Sequence, residues 1–325
     1  MKSIVVNSFG GPENLLFTDS PPSTPGHGQV AIAVEAIGVG YMDVMAREGC
    51  YSLGRTPGFV PGAEVAGTVE ALGSDVESRM LGQRVFALTG TGGYAETALA
   101  DINNVFPLPD IVTAFDAVAL GINALVAHFS LVRVDAGPGD RVLVRGASGG
   151  IGVMAVQLAA NKRCEVIAIT SSTNRGDRLK ELGATRALNR QSVSSEELPE
   201  SDVVVDTVAG DDIGSFINLL GLNGRYVLCG GVGGSPPADF GTHLLGTFHR
   251  SPTLYALSLN SIGRHDLMAA ASDLFGQAAR GEIMAVVDDV LPLESAADAH
   301  RKLEGGSVFG KLLLTTSREY GDQSR

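Results

Sequence analysis

The sequence predicts an α/β fold in which a doubly wound parallel sheet is inserted into a β-rich domain. Up to about residue 110, strand-like apolar runs are separated by proline and glycine clusters. From about Gly121, continuous apolar strands alternate with helical stretches, as in a parallel sheet covered on both faces. A chain of 325 residues is about twice as long as a typical domain. We therefore expect a β-rich domain of residues 1–121 and 261–325, interrupted by a doubly wound domain of residues 122–260.

Each expected element follows from its own hydrophobic pattern. The strands expected in the N-terminal part are Val30–Val39, Glu64–Leu72 and Arg84–Leu88. The strands expected in the central part are Arg141–Arg145, Glu165–Thr170, a weak one near Ala187, Asp202–Asp206, Arg225–Cys229 and Thr253–Leu259. Central helices are expected after the first two of these strands, the second ending near Leu182, and around Ile213–Leu220. The C-terminal part adds a helix at Ser261–Arg280, a strand at Val286–Leu291, a helix at Glu294–Leu303 and a strand at Lys311–Leu314.

Composition excludes several classes of partner. Asp and Glu number 36 against 24 Lys and Arg, and the net charge of −12 repels nucleic acid and anionic lipid. The three cysteines, Cys50, Cys164 and Cys229, lie too far apart to suggest a disulfide framework or a zinc knuckle. We find no secretory core at the N-terminus, and we expect no apolar run of membrane-spanning length. These observations favour a reducing, cytoplasmic setting.

The glycine-rich turn Arg145–Val153 is the most specific local feature. It lies between an expected buried strand and an amphipathic helix, and glycines occupy positions 146, 149, 150 and 152. A diphosphate needs close approach to the backbone and unpaired amides at a helix N-terminus, and glycine permits both. The pattern therefore predicts a dinucleotide site. Its predicted residues are Ala147, Ser148, Gly149, Gly150, Ile151 and Gly152.

The same turn matches a second motif. Gly146 to Gly150 spells the nucleophile elbow of serine hydrolases, with Ser148 as the nucleophile. An elbow needs an acid and a histidine downstream, for which Asp206 and several histidines are available. No oxyanion-hole glycine run with a leading histidine precedes the turn, however, and an elbow does not need the glycine at position 152. The nucleotide interpretation is therefore favoured, and a serine hydrolase stays the weakest alternative.

The residues about 20 positions after the glycine-rich turn indicate whether the cofactor is NAD or NADP. A site specific for NAD places a carboxylate there to hold the ribose 2′-hydroxyl. This sequence instead has Ser171, Ser172 and Arg175, which offer hydroxyl donors and a guanidinium that suits a 2′-phosphate. The sequence therefore predicts NADP(H). Arg175 also fits an ordinary solvated helix position, which is the alternative.

Several further motifs occur in a recognisable order. They are Ala36–Asp43, Ala46–Gly49 with Tyr51, Pro61–Gly67, Gly82–Phe86, Gly92–Ala95, Ala147–Leu158, Glu181–Ala184, Ala299–Leu303 and Gly310–Leu312. Together they resemble the medium-chain dehydrogenase/reductase superfamily, and most closely its zinc-free quinone oxidoreductase (zeta-crystallin-like) branch. The resemblance covers nearly the whole chain. It implies a GroES-like catalytic domain formed by both chain ends, a Rossmann domain inserted between them, and a cofactor cleft at their junction.

The resemblance also allows zinc to be tested residue by residue. Alcohol dehydrogenases of the superfamily have a cysteine ligand where this chain has Gly40, and Gly-His-Glu where it has Gly62-Ala63-Glu64. Both ligands are absent from the sequence, as is the four-cysteine structural lobe, and zinc needs three or four converging ligands. We therefore expect no metal.

Two positions near the nicotinamide depart from the quinone reductase pattern. That branch usually has Asn in place of Gly40 and Thr in place of Val126. Asn123 is the nearby candidate donor to the cofactor. Arg190 stands where relatives often have a Tyr beside the ribose phosphate, and it is expected to strengthen the contact to a 2′-phosphate.

The matching segments also supply candidate catalytic residues. Hydride addition to an enone or quinone yields an enolate, which needs a hydrogen-bond donor, and Tyr51 and Tyr41 are the candidate donors. Asp43 and Arg47 are expected to organise the loop. The alternatives remain open that Tyr41 packs against the cofactor and that Asp43 and Arg47 form a plain structural pair.

Loops after the later strands are expected to line the nicotinamide half of the site, because ligands of doubly wound sheets bind beyond the carboxyl ends of the strands. This rule assigns Val208, Cys229 and Gly230 to the cofactor. A lone cysteine at a strand end is more often a small buried hydrophobe.

The expected function is zinc-independent, NADPH-dependent transfer of hydride to a quinone or an α,β-unsaturated carbonyl. A dedicated enoyl or keto reductase and a non-catalytic NADPH-binding protein are the alternatives. The substrate is a small molecule. The apolar strand Leu254–Leu259 is expected to lie at a sheet edge, where an uncovered strand pairs with another chain. The family resemblance implies a homodimer that pairs there.

Overall fold

The computed structural model describes residues 1–50, 56–192 and 198–317. The chain divides into two compact units. The terminal unit consists of Met1–Ile122 and Arg264–Arg325, and the central unit of Asn123–Gly263. The chain thus changes unit after residues 122 and 263, where the sequence analysis places the boundaries after residues 121 and 260.

The described residues form fifteen strands and eight α-helices. The strands are β1 (Lys2–Val6), β2 (Leu15–Asp19), β3 (Gln29–Val39), β4 (Glu64–Leu72), β5 (Arg84–Leu88), β6 (Thr97–Asp101), β7 (Val105–Pro107), β8 (Arg141–Arg145), β9 (Glu165–Thr170), β10 (Arg186–Asn189), β11 (Ser201–Asp206), β12 (Leu220–Leu228), β13 (Thr253–Ala256), β14 (Val287–Pro292) and β15 (Lys311–Thr315). The helices are α1 (Tyr41–Glu48), α2 (Ala114–Arg133), α3 (Gly150–Asn161), α4 (Thr173–Glu181), α5 (Ile213–Ile217), α6 (Gly241–Thr247), α7 (Arg264–Ala279) and α8 (Ala296–Glu304).

The terminal unit is built on a mainly antiparallel sheet. Within the described residues its strand order is β14-β15-β3-β4-β5-β7, and β6 also pairs with β3. The long strand β3 is central because it pairs with β4, β6 and β15 along its length. The core contains residues of both chain ends, such as Ile32 from β3 and Leu312 and Leu314 from β15. The β-rich part of the expected fold class is confirmed.

The central unit contains a parallel sheet. Its order among the described residues is β10-β9-β8-β11-β12-β13, with helices in the crossovers. The middle residues of β8 and β11, Val142–Val144 and Val203–Val205, are fully buried, as expected for strands covered on both faces. The strand order reverses direction between β8 and β11, which makes the carboxyl ends of these two strands the topological switch point. The doubly wound part of the expected fold class is confirmed as well.

Several elements differ from those expected. The pattern around Ile213–Leu220 is helical only over Ile213–Ile217, because the chain enters β12 at Leu220. The strand expected over Thr253–Leu259 ends at Ala256, and a short 3₁₀ turn follows at Leu259–Ser261. The sequence analysis missed β1, β2, β6 and β7, and it missed α1 and α6, which have eight and seven residues. Helices as short as α1 and α6 carry too few residues for a clear helical periodicity.

One helix within the described residues, Ala114–Arg133, is long and apolar enough to cross a membrane by length and composition. This finding contradicts the expectation that no apolar stretch reaches that length. In its most apolar window 72% of the residues are buried inside the protein, and core helices of soluble proteins pass the same test. The helix is kinked at Gly121, where φ is 11° and ψ is −120°.

Candidate active site

The glycine-rich turn follows β8 and leads directly into α3. Gly146 has a φ of 72°, a conformation that residues with side chains rarely adopt. No side chain of a described residue caps the N-terminus of α3 at Gly149. The N–H groups of the first helical turn, Gly150–Gly152, have no acceptor within the helix, as in any α-helix. The turn therefore presents backbone donors and the positive end of the helix dipole, which together bind phosphate.

Two glycines of the turn are required by packing, whereas a third has room for a Cβ atom. A Cβ atom on Gly152 would lie 2.3 Å from the carbonyl oxygen of Gly146, and one on Gly150 would lie 2.5 Å from Nδ2 of Asn123. On Gly149 the nearest atom of a described residue would be 3.5 Å away. The turn thus fits the diphosphate of a dinucleotide, and the predicted residue Asn123 lies directly against it. Of the other predicted residues of the turn, Ala147 is buried and Ile151 is half-buried.

Ser148 does not have the surroundings of a hydrolase nucleophile. Its hydroxyl is buried and shares a hydrogen bond of 2.6 Å with the hydroxyl of Thr170 rather than with an imidazole. A serine nucleophile needs a base within hydrogen-bond reach. The elbow interpretation therefore has no support from the geometry around Ser148.

Hydroxyl and guanidinium groups follow β9. The hydroxyl of Ser172 accepts a hydrogen bond from the Arg175 backbone N–H and caps α4, and Nη1 of Arg175 donates to the hydroxyl of Ser171 at 3.0 Å. Arg190 follows the neighbouring strand β10, its side chain is exposed, and its backbone N–H donates to the Thr170 carbonyl at 2.9 Å. The structure thus brings all four predicted residues to one edge of the sheet, with two guanidinium groups among them.

The loops after β11 and β12 are joined through their backbones. The N–H of Gly233 donates to the Val208 carbonyl at 2.7 Å, and the N–H of Gly210 donates to the Gly234 carbonyl at 3.1 Å. A Cβ atom on Gly230 would lie 2.3 Å from the carbonyl oxygen of Thr207. The predicted residues Val208 and Gly230 therefore belong to one packed layer at the carboxyl edge of the sheet.

The thiol of Cys229 is part of the same layer. It donates to the Asp206 carbonyl at 3.4 Å, and burial raises its pKa to about 12. The thiol is therefore protonated at neutral pH. Cys229 is half-buried, and its protonated thiol fits a small packing residue at a strand end rather than a reactive group.

In the terminal unit, α1 carries two of the predicted catalytic residues. Tyr41 is the first residue of the helix and is half-buried. Its pKa is raised by burial and by the negative charge of Glu48, which keeps the hydroxyl protonated and able to donate. The third predicted catalytic residue, Tyr51, lies outside the described residues.

Asp43 is buried and accepts two backbone hydrogen bonds. One comes from the Gly40 N–H at 2.9 Å and the other from the Gly62 N–H at 3.1 Å. Burial raises the pKa of Asp43 to about 6, against the lowering effect of these hydrogen bonds and of the Lys311 charge. Its geometry is that of a residue that fixes the start of α1.

The alternative of a structural pair between Asp43 and Arg47 is wrong. Arg47 is fully buried and binds the carboxylate of Glu304 through two nitrogens, at 2.8 and 3.0 Å. Its Nε donates to the Gly10 carbonyl at 2.8 Å. The i,i+4 spacing permits a pair on the surface of α1, but Arg47 instead joins the helix to α8.

A buried polar chain links Arg47 to Asp43. Nη1 of Arg47 lies 3.4 Å from Nδ1 of His300, and Nε2 of His300 lies 3.1 Å from the Tyr94 hydroxyl. The charge of Asp43 is near enough to the Tyr94 hydroxyl to raise the pKa of Tyr94. Because a guanidinium can only donate, Nδ1 of His300 accepts and Nε2 carries the proton. Nε2 of His300 therefore donates to the Tyr94 hydroxyl.

The environment of His300 keeps it neutral. Burial, followed by the positive charge of Arg47, lowers its pKa to about 3. Tyr94 is also fully buried, and burial together with the charge of Asp43 raises its pKa well above the usual value. His300 and Tyr94 therefore keep their protonation states at neutral pH.

A second buried pair joins Glu64 to Lys311. These residues begin β4 and β15, and their side chains are 2% and 7% exposed and in direct contact. The other oxygen of Glu64 accepts the Ile122 N–H at 2.9 Å, directly after the kink at Gly121. A Cβ atom on Gly121 would lie 2.4 Å from this oxygen, so the carboxylate can approach the kink only because residue 121 is glycine.

No group of three His, Cys, Asp or Glu side chains is arranged to hold a metal ion in residues 1–50, 56–192 and 198–317. Gly40 lies beside Asp43 and Lys311, since a Cβ atom on it would be 3.6 Å from the carboxylate and 3.8 Å from the ammonium. Gly40 thus lies beside a carboxylate and an ammonium group rather than beside thiol or imidazole ligands.

Comparison with known proteins agrees with this architecture. Residues 26–110 match the alcohol dehydrogenase GroES-like domain, and residues 150–275 match the zinc-binding dehydrogenase domain. A quinone oxidoreductase of Lama guanicoe is 32% identical, and the match covers 97% of each chain. The chain belongs to the medium-chain dehydrogenase/reductase superfamily. The family resemblance found in the sequence is therefore confirmed.

Solved structures of family members are similar over the full chain. A mycobacterial protein in complex with NADPH has a TM-score of 0.91 and 30% identity, and the match covers 97% of this chain and 99% of that one. The quinone oxidoreductase of Escherichia coli in complex with NADPH has a TM-score of 0.87 and 25% identity, with coverage of 97% and 100%.

The sequence analysis missed most of the buried polar residues. Tyr94, His300 and Lys311 lie in segments that were used only to establish the family. Asp206 was considered only as part of the weaker hydrolase alternative. A signal was available for Arg145 and Asp206, since each is a charged residue that ends a continuous apolar strand.

Proposed function

We propose that this protein is an NADPH-dependent oxidoreductase that transfers hydride to a quinone or an α,β-unsaturated carbonyl without a metal. The observation that carries the proposal is the bare N-terminus of α3, which follows the glycine turn at the switch point of a parallel sheet. Relatives named quinone oxidoreductase and neighbours solved with NADPH support it.

The central unit supplies the groups that would hold the cofactor. The amides of Gly149–Gly152 face the diphosphate. Ser171 and Arg175, already joined by a hydrogen bond, and the exposed Arg190 are suited to a 2′-phosphate, because hydroxyls and guanidinium groups donate to its oxygens. No carboxylate occupies positions 171 to 175 to prefer a 2′-hydroxyl.

The terminal unit supplies candidate hydrogen-bond donors for the acceptor. When bound, a reduced nicotinamide supplies the hydride, and the acceptor oxygen then gains negative charge. Tyr41 keeps its proton because its pKa is raised, so it can stabilise this oxygen as a donor. The Asp43 carboxylate accepts the N–H of Gly40, the residue before Tyr41. Asp43 therefore fixes the backbone from which the Tyr41 side chain extends.

The proposal of metal independence rests on the donor set. Gly40 and Ala63 stand at positions where zinc-dependent members of the superfamily have ligands, and neither has a side chain that coordinates a metal. Charge on the acceptor must then be stabilised by hydrogen-bond donors and by proton transfer. Quinones and enones suit this chemistry because the charge is spread over a conjugated system.

The decisive experiment measures NADPH consumption across quinones, enones and aldehydes. We expect turnover with conjugated acceptors, lower efficiency with NADH, and no effect of a chelator. The variant Arg175→Ala should raise KM for NADPH about tenfold and leave KM for NADH unchanged, since a charged hydrogen bond contributes about 1.5–3 kcal/mol. Arg178→Ala, on the exposed side of the same helix, is the matched control.

Other outcomes would overturn parts of the proposal. Loss of activity with the chelator would show that the reaction needs a metal. Tight NADPH binding without turnover on any acceptor would indicate a non-catalytic binding protein, and turnover restricted to one activated thioester or ketone would indicate a dedicated biosynthetic reductase. Labelling of Ser148 by a fluorophosphonate would revive the hydrolase alternative.

We also propose a homodimer that pairs through β13. This strand lies at the edge of the central sheet among the described residues, and Leu245 and Phe248, from the segment just before it, are 74% and 73% exposed. An uncovered edge strand beside exposed apolar side chains is a favourable surface for pairing. Light scattering that gives the mass of a single chain would contradict this assignment.

A further inference from the structure

A buried ion pair lies at the switch point of the central sheet. Arg145 and Asp206 are the last residues of β8 and β11, and they stand opposite each other in the register of the two strands. Nη1 of Arg145 donates to Oδ2 of Asp206 at 3.1 Å, and the two side chains are 7% and 0% exposed. Charges are costly to bury, so a pair at this place calls for an explanation beyond packing.

The carboxylate of Asp206 holds the loop that follows it. Its Oδ1 accepts the N–H groups of Val208 at 2.7 Å and of Ala209 at 3.1 Å. Its Oδ2 accepts the hydroxyl of Tyr226 in addition to Arg145. Burial, together with the charge of Asp206, raises the pKa of Tyr226, which keeps this hydroxyl a donor. The carboxylate thus fixes the first residues of the 207–210 loop.

Arg145 holds the far end of the same loop. Its Nη2 contacts the carboxylate of Asp212, the residue just before α5, and its guanidinium lies 4.2 Å from the centre of the Phe216 ring. The planar guanidinium is therefore fixed on both edges and on one face. Through Arg145 and Asp206 the 207–210 loop is anchored at its start and just beyond its end.

The loop adopts a backbone conformation that it would not choose alone. Ala209 has a φ of 58°, which costs a residue with a side chain about 1 kcal/mol. Thr207 donates through its hydroxyl to the Arg145 carbonyl at 3.0 Å. A Cβ atom on Gly146 would lie 2.2 Å from that hydroxyl oxygen and 2.8 Å from a methyl group of Val208. The loop is thus pressed against the glycine turn that faces the diphosphate.

The position of the loop indicates which half of the cofactor it meets. In the sheet, β9 and β11 lie on opposite sides of β8. The groups suited to the 2′-phosphate follow β9, so the other half of a dinucleotide extends towards β11. We propose that the Arg145–Asp206 ion pair is a positioning device that fixes the 207–210 loop as the wall of the nicotinamide subsite. This inference rests on the proposed function.

The test separates the two halves of the cofactor. Dissociation constants for NADPH and for 2′,5′-ADP are measured by calorimetry on the full-length protein and on the variant Asp206→Asn. The asparagine oxygen can still accept from Val208 and Ala209, but its amide group donates towards Arg145 and breaks the pair. We expect the constant for NADPH to rise about tenfold and that for 2′,5′-ADP to change by less than about twofold, because misplacing one wall affects only the group it contacts.

The matched control is Asp140→Asn. Asp140 pairs with Arg225 at 2.7 Å and accepts the Gly137 N–H at 2.9 Å, and it lies at the amino end of β8 in the same unit. This variant removes an ion pair and keeps a backbone hydrogen bond, as Asp206→Asn does, but at the opposite edge of the sheet. It should leave both dissociation constants unchanged.

A second variant covers the case in which Asp206→Asn does not fold. Tyr226→Phe removes one donor to Asp206 and leaves every charge in place, and we expect it to weaken NADPH binding about threefold. Equal weakening of NADPH and 2′,5′-ADP, or unchanged binding of NADPH to whichever of the two variants folds, would overturn the inference. Failure of the unmodified protein to bind NADPH would instead overturn the proposed function.

Discussion

Replacement of His300 by glutamine should remove a specific loss of stability in acid. Glutamine can accept from Arg47 through its oxygen and donate to Tyr94 through its nitrogen, so it can take the place of the neutral imidazole. It does not titrate. The difference between the two proteins therefore isolates the free energy of protonating one buried histidine.

The sign and size follow from the pKa of His300. The folded value of about 3 lies below the ordinary value of 6.5, so the unfolded chain binds the proton first as the pH falls. The stabilisation is therefore complete above pH 6.5 and is lost progressively towards pH 3. At pH 5, which is about 1.5 units below the ordinary pKa, protonation of this histidine in the unfolded chain lowers the free energy of unfolding by about 2 kcal/mol.

Titration of Asp43 changes the stability in the opposite direction, so its contribution must be separated from that of His300. Its folded pKa of about 6 lies above the ordinary value of 3.8, so acid stabilises the folded state through this group. The effect is present in both proteins and cancels in their difference. A comparison of the unmodified protein at two pH values alone would mix the two contributions.

The assay is urea unfolding at pH 7 and pH 5, followed by circular dichroism because the chain contains no tryptophan. Transitions of the two units are fitted separately. The unmodified protein should lose about 2 kcal/mol more than His300→Gln between these pH values. His265→Gln is the control, since that side chain is 96% exposed and should behave as the unmodified protein does. Equal losses in the unmodified protein and His300→Gln would refute the reasoning.

Three further outcomes are expected. Gly152→Ala places a Cβ atom 2.3 Å from a backbone oxygen and should lower the free energy of unfolding of the central unit by about 1–3 kcal/mol, whereas Gly149→Ala should leave it nearly unchanged in the same urea titration. Lys311→Met leaves the Glu64 carboxylate buried without its cation and should lower the stability of the terminal unit by about 3–5 kcal/mol, a loss that hydrogen exchange in β15 would register. Iodoacetamide at pH 8 should react slowly with Cys229, whose pKa is about 12, and mass spectrometry that finds it rapidly alkylated in the folded protein would contradict the raised pKa.

The parallel sheet was predictable because each of its strands is a short apolar run with its own boundaries. Arg141–Arg145 and Glu165–Thr170 were predicted with the bounds that the structure shows. The glycine turn was predictable for the same reason, since strand, turn and helix are adjacent in the sequence. Short α1 was not, because it begins at Tyr41 after a glycine that offers no side-chain cap.

The buried polar chain could not be read from the sequence. Asp43, Tyr94 and His300 are separated by dozens to hundreds of positions, and each has an ordinary reading on its own. Asp43 and Arg47 even have the spacing of a surface pair, yet Arg47 binds Glu304. Spacing within one helix predicts which side chains can meet, but contacts from other elements decide which ones do.

The glutamate at position 64 matches a motif of zinc-dependent relatives, but its contacts in this protein explain it without a metal. In the Gly-His-Glu segment of zinc-dependent relatives, this chain replaces the histidine by Ala63 and keeps the glutamate. The carboxylate accepts the Ile122 N–H and pairs with Lys311, and neither contact involves a metal. A match at Glu64 therefore reports the packing of β4, β15 and the kink in α2, and it carries no information about zinc. The residues that bear on the metal are Gly40 and Ala63. Neither has a side chain that takes part in the contacts of Glu64.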